Sequence, residues 1–266
     1  MPKTTNHGRI GYCIYCGSTG PELSREHIVP LSLGGNHVLS KASCPDCCCI
    51  TKDFEHTCAR SLFGPYRVRE NLPTRHPQER PATLTLHLVD QDGTERRVEL
   101  APEKHPATLI MPIFDQPRLL RPPDEPEPKG YTMWLAIPDR DTLNLVERHG
   151  AASMKLGTFE FLSFCRLLAK ISHAAAYAHR GFRDLFEPLL PDFILGKSED
   201  YRDFVGGNSQ RFNEPEEMAF PMFFESVDIG DLRYLVAQLR LFAYQATPVY
   251  RVVVGRRNVV QTLKDN

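Results

Sequence analysis

Hydrophobic and polar positions change period several times along the chain. From residue 83 the apolar residues alternate through TLTLHLV, a turn signal QDGT follows, and ERRVEL resumes the alternation, which predicts a β-hairpin. Two apolar runs, TLIMPI (108–113) and TMWLAI (132–137), read as strands separated by RPPDEPEPKG (121–130), whose composition suits an exposed loop. Over residues 158–180, Phe161, Phe164, Leu168, Ile171 and Ala175 recur at three- and four-residue steps, so a long helix with an apolar face is expected, ended by Gly181. A shorter helical stretch (184–195), a polar loop through Gly206 and Gly207, and strand-like runs at 234–244 and 249–255 complete this part. The first 60 residues read differently: short extended pieces, then a helix starting near Pro45 and ending by Gly64. Between these parts, GPYRVRENLPTRHPQERPA is rich in Pro and Arg and reads as irregular. The expected fold is α+β: a small module (1–64), a basic linker (65–81) and a larger mixed α+β domain (82–266). No internal repeat is visible.

Composition narrows the class. The chain has 266 residues, 41% hydrophobic and 24% charged, which excludes global disorder and leaves enough apolar mass for a core. No run of about 18 uncharged apolar residues occurs, and the N-terminus lacks the basic-then-apolar pattern of a secretion signal. A protein of the cytoplasm with no membrane span is expected. The net charge of −1 hides an asymmetry: residues 1–81 carry ten Lys and Arg against seven Asp and Glu. Any polyanion site should therefore lie in the first part.

Seven of the eight cysteines fall within the first 58 residues. In a reducing compartment, thiols at ligand spacing read as metal binding before disulfides. Cys13-x-x-Cys16 and Cys44-x-x-Cys47 are two such pairs, and one four-cysteine zinc site is the economical reading. Cys48 or Cys49 could substitute for Cys47, though only 44 and 47 keep both pairs at one spacing. A segment this short with few large apolar residues cannot support its own core, and a structural zinc worth on the order of 10–16 kcal/mol would supply the difference.

Between the pairs stand Arg25-Glu26-His27-Ile28-Val29-Pro30 and then Gly34-Gly35-Asn36. In this order the elements resemble the HNH endonucleases over roughly residues 12–62. The resemblance implies a ββα-metal module that hydrolyses DNA phosphodiester bonds with Mg2+ or Mn2+. His27 would activate water, being able to stay neutral at pH 7. Glu26 would hold the divalent ion, and Asn36 would orient the His27 ring. Ile28, Pro30, Gly34 and Gly35 would be scaffold. Members commonly carry Asn or His after the last zinc cysteine; here that residue is Cys48, a poor ligand for Mg2+. Lys52, Glu55 and His56 share the helix face of Cys48, so Glu55 is the expected second ligand, with His56 as its substitute. More widely, CIYCG, EHIVP, LGGN, ITKDFE and LAKISHA look like a bacterial HNH family with a longer C-terminal region of undefined function. A role in defence or restriction would fit.

Arg60, Arg67, Arg69, Arg75 and Arg80 follow the helix closely and suit contacts with a phosphate backbone, DNA being the expected polymer and RNA an alternative. Phe63 and Tyr66 would stack on a base or pin the helix end onto the second domain. His37, His76, His105, His149, His173 and His179 have no supporting spacing and read as surface or core residues. Cys58 reads as packing and Cys165 as a buried thiol. A homodimer or partner protein bound through the C-terminal domain is a further expectation. The rival reading, from another class, is a zinc-stabilised nucleic-acid-binding module that does not cleave.

Overall fold

A computed structural model describes residues 3–259, apart from 128, 129, 131, 137–139, 156, 158, 180, 211 and 212, and it is of the α+β class. The chain opens with β1 (Thr5–Arg9), β2 (Ser24–His27) and β3 (His37–Ser43), which form one sheet in the order β1-β3-β2. β2 runs antiparallel to β3, setting Glu26 opposite Leu39 and His27 opposite Val38, while β1 lies parallel to β3 on its other edge. The turn after β2 is tight because a 3-10 turn (Leu31–Leu33) hands over to Gly34 in the left-handed region at φ 101°. A Cβ on Gly35 would meet the Val29 carbonyl oxygen at 2.0 Å, so only glycine fits there.

Helix α1 (Pro45–Thr57) starts as expected, with Pro45 in its first turn and Asp46 favouring the positive end of the dipole. It ends before Gly64, as expected, and a second helix follows at once. One π-helical turn (Cys58–Leu62), closed by Phe63 N–H donating to the Cys58 carbonyl at 3.0 Å, leads into α2 (Gly64–Arg69). The expected irregular linker is thus helical at its start. Phe63 and Tyr66 are fully buried: Phe63 packs edge-on against Phe242 at 5.4 Å, and the Tyr66 hydroxyl donates to that of Tyr244 at 2.7 Å. They pin the helix end as anticipated, and burial of these rings outweighs the Pro and Arg content of the stretch.

The hairpin of β4 (Leu84–Val89) and β5 (Glu95–Leu100) forms as read, and β6 (Leu109–Ile113) pairs with β7 (Thr132–Ala136). Residues 121–127 of the expected loop contain no helix or strand. Helix α3 (Arg140–Arg148) and β8 (Ser153–Lys155), which adds to β4, had no expectation attached. Helix α4 (Phe161–Ala178) matches the long helix and is the centre of the molecule: residues 167–176, except Lys170, Ser172 and His173, are apolar, and all of them are buried. The next stretch is corrected. In place of one helix at 184–195 there are two single turns, α5 (Phe182–Leu185) and α6 (Pro191–Ile194), with β9 (Glu187–Pro188) between them. Gly206 and Gly207 are not loop but lie in β10 (Val205–Gly207), where a Cβ on Gly206 would strike the backbone at residues 115–117. β11 (Met222–Ile229), β12 (Leu232–Leu239) and β13 (Tyr250–Asn258) complete a sheet ordered β10-β13-β12-β11, with β9 on β13. The expected strand at 234–244 ends at Leu239.

Most buried apolar side chains of the first 66 residues belong to the same cluster as α4 and β13, running from Cys13 and Leu33 through Phe164 to Val254. The N-terminal part therefore draws its core from the rest of the chain, which corrects the picture of a self-contained module joined by a linker. Among the described residues no helix is long and apolar enough to cross a membrane.

Candidate metal centre and active site

The knuckle between the first two cysteines is tied by Cys13 N–H donating to the Ser18 carbonyl and Gly17 N–H to that of Cys13, both at 2.8 Å. Cys44 caps α1 and Cys47 lies in its first turn, where the helix dipole favours thiolate. The Sγ atoms of Cys13, Cys16, Cys44 and Cys47 all lie within 4.8 Å of one another. Those of Cys16 and Cys44 are 3.7 Å apart, close to the roughly 3.8 Å that tetrahedral ligands require when Zn–S is about 2.3 Å. This cluster can hold a metal ion such as zinc. Cys48 faces a cleft instead and Cys49 is exposed, so Cys47 takes the fourth place. Burial pushes the Cys13 and Cys47 thiols up, whereas at Cys16 hydrogen bonds with Ser18 outweigh burial and draw it down to about 6. A cation is what allows all four to ionise together.

Beside the cluster opens a cleft of about 830 Å³. Its walls carry Glu26 and His27 from β2, Cys48, Lys52, Glu55 and His56 from α1, and Arg60, Arg67, Arg75 and Arg80 from the segment downstream of that helix. The helix face read from the sequence is thus the one turned to His27. The His27 ring is half-buried, and burial, with the charges of Lys170 and Arg75, holds its pKa below the usual value. A neutral imidazole at pH 7 follows.

The arginines divide. Arg60 and Arg75 are exposed in the cleft. Arg67 is a brace: its Nε donates to the Ser32 carbonyl and its Nη1 to that of Ala59 at 2.9 Å. Arg69 points elsewhere, donating to the His105 carbonyl at 2.7 Å, and is corrected out of the cleft. Asn36 is also corrected. Its Nδ2 donates to the Lys3 carbonyl at 3.2 Å, and among the described residues no hydrogen bond joins it to His27. β1 occupies the sheet edge beside Asn36, with Thr5 N–H donating to the Asn36 carbonyl at 2.8 Å, and the side chain follows that strand.

One residue missed in the sequence comes from α4. Lys170, fully buried, places Nζ 2.7 Å from Glu26 Oε1 and 2.8 Å from Glu55 Oε1, donates to the His27 carbonyl, and lies 3.4 Å from that of Ile28. Burial works against its charge, but the two carboxylates outweigh it and hold the ammonium protonated. Burial raises Glu26 above the ordinary carboxylate value although Lys170 opposes this. One turn on, buried His173 donates from Nε2 to the Ile14 carbonyl at 2.8 Å and stacks on Tyr15; burial lowers its pKa to about 4. It is a core histidine, as read. The available signal for Lys170 was a charge within an apolar helix face, LLAKISHA, which demands a partner.

Glu26 and Glu55 do converge, as expected of two ligands, but on an ammonium. As they stand they do not fit a divalent ion, which would need the space that Nζ fills. No protein-family model matches this chain, and neither a curated protein nor a solved structure does.

Proposed function

We propose that the chain is an endonuclease of the HNH type, acting on DNA in the cytoplasm, with zinc as the structural metal of its four cysteines. One observation carries this reading: half-buried His27 opens onto a cleft lined by exposed Arg60, Arg75 and Lys52 and by Cys48, the residue that follows the last cysteine of the cluster. The guanidinium and ammonium groups bind the phosphate backbone, and the imidazole takes a proton from the attacking water. The four cysteines outside the cluster, Cys48, Cys49, Cys58 and Cys165, are not paired in disulfides, which suits a reducing compartment. The resemblance also brings Mg2+ or Mn2+ to Glu26 and Glu55, but their engagement with Lys170 leaves that ion no place between them, and no step is assigned to it.

The test is cleavage of supercoiled plasmid by wild type and His27→Ala protein of equal zinc content, in Mg2+, Mn2+ or EDTA. Loss of the base should lower the rate by about 10²–10⁴-fold. Equal cleavage by both proteins would sink the assignment.

A second reading is a zinc-stabilised module that binds DNA or RNA without cutting it. It is favoured by Cys48 standing in the cleft where the family carries Asn or His. It requires salt-sensitive binding, from release of counterions, and no cleavage in any divalent ion.

A further inference from the structure

We propose that Lys170 is the resident cation of the Glu26–Glu55 pair, an internal ammonium held where the resemblance places a divalent ion. The inference deepens the nuclease reading and rests on it for the role of the cleft. An ammonium has three protons to donate, and three acceptors meet it here: Glu26 Oε1, Glu55 Oε1 and the His27 carbonyl. Lys170 is therefore saturated as it stands, with the Ile28 carbonyl at 3.4 Å as a fourth oxygen.

Its stem is locked as well. Leu167, Leu168, Ile171 and Ala174 around it are fully buried, and the charge has no path to water along its own helix. Three residues on, His173 fastens the same helix to the Ile14 carbonyl of the cysteine knuckle, so α4 cannot withdraw the ammonium without releasing the knuckle. A divalent ion bound by both carboxylates at about 2.1 Å would stand inside the volume of Nζ and against its charge. Ion and ammonium exclude one another.

Two consequences follow for the cleft. Glu26 and Glu55 become positioning residues: they hold Lys170, which holds the main chain at His27 and so fixes where the ring points. Neutralising a phosphate then falls to the exposed cations Arg60, Arg75 and Lys52.

The probe is Mn2+ alone, titrated into zinc-loaded full-length protein and followed by the electron paramagnetic resonance of free Mn2+. Wild type should bind Mn2+ no more tightly than Glu55→Gln. Lys170→Met, which leaves the carboxylate pair without its cation, should gain one site at least about tenfold tighter than any in wild type, and Lys170→Met/Glu55→Gln should lose it again. Wild-type binding that weakens about tenfold or more in Glu55→Gln would overturn the proposal, as would a folded Lys170→Met protein that gains no site. Should Lys170→Met not fold, the comparison of wild type with Glu55→Gln decides alone. Cleavage is not read in this experiment, so a failure of the His27 test leaves its outcome standing.

Discussion

Replacing Lys170 by methionine should make the protein strongly and pH-dependently unstable. At 2.7 and 2.8 Å the two contacts are each worth roughly 6 kcal/mol of Coulomb attraction at an effective dielectric of about 20, most of which offsets the desolvation of the ammonium and of Glu26. The pair's net worth is therefore modest, but breaking it leaves two carboxylates facing each other, one of them only 5% exposed, and that should cost about 3–5 kcal/mol. Glu26, already raised by burial, would lose the pull of Lys170 and keep the repulsion of Glu55, so its folded pKa would rise further above its unfolded value. A raised carboxyl stabilises where it is protonated, so the deficit of Lys170→Met should be largest near neutral pH and shrink as pH falls towards the ordinary carboxylate range. Urea denaturation followed by circular dichroism, with zinc saturating, measures this between pH 8 and pH 5. The charge-free triple variant Lys170→Met/Glu26→Gln/Glu55→Gln should recover at least half the loss. A single variant within about 1 kcal/mol of wild type at neutral pH, or a triple variant no better than the single, would refute the reasoning.

Other outcomes follow from the same geometry. Purified protein should carry one zinc per chain, and Cys44→Ser should lose it together with the near-ultraviolet circular dichroism of the knuckle; unchanged spectra after metal loss would count against a structural metal. His173, at about 4 in the folded protein against an unfolded value near 6.5, contributes stability fully above pH 6.5 and loses it as pH falls towards 4, about 3 kcal/mol in all. Nitrogen-15 spectra should show its ring neutral at pH 5.5, and a midpoint near 6.5 would contradict the burial. Arg75→Ala should weaken DNA binding and reduce its salt slope by about 1, while Arg69→Ala should leave the slope alone. Residues 1–81 alone should fail to unfold cooperatively, because Leu33, Phe63 and Tyr66 lose the partners that bury them; a sharp transition would restore the self-contained module.

The features legible in the sequence were mostly local. Ligand spacing fixes Cys13, Cys16, Cys44 and Cys47 with little help from the fold, and helical geometry alone puts Lys52, Glu55 and His56 on the side of Cys48. The long helix could be placed because its apolar positions keep one period over five turns. Lys170 could not be partnered, since its acceptors lie more than a hundred residues away and no local rule links α4 to β2. β11 escaped notice because Phe223 and Ile229 point outward and blur the alternation of MFFESVDI. Motif order points Asn36 at His27, but the weakly patterned, exposed N-terminal segment engages it instead, Lys3 at its side chain and Thr5 of β1 at its carbonyl. The irregular reading of 65–81 misses α2 for a related reason: Pro and Arg mark irregular chain on average, but two buried rings decide the start of this stretch.

The π-helical turn at Cys58–Leu62 sets the spacing of the cleft in a way that resembles a shim. A turn of this kind is an α-helix with one residue inserted, and such turns recur at functional sites. Deleting one residue there would restore the ordinary register and rotate everything downstream by about 100°. Tyr66 would swing off Tyr244, and Arg67 would leave the Ser32 carbonyl through which α2 braces the turn after His27. The placing of the arginine-bearing segment opposite the histidine strand thus hangs on a single backbone unit: a chain one residue shorter at this point would turn different side chains into the cleft.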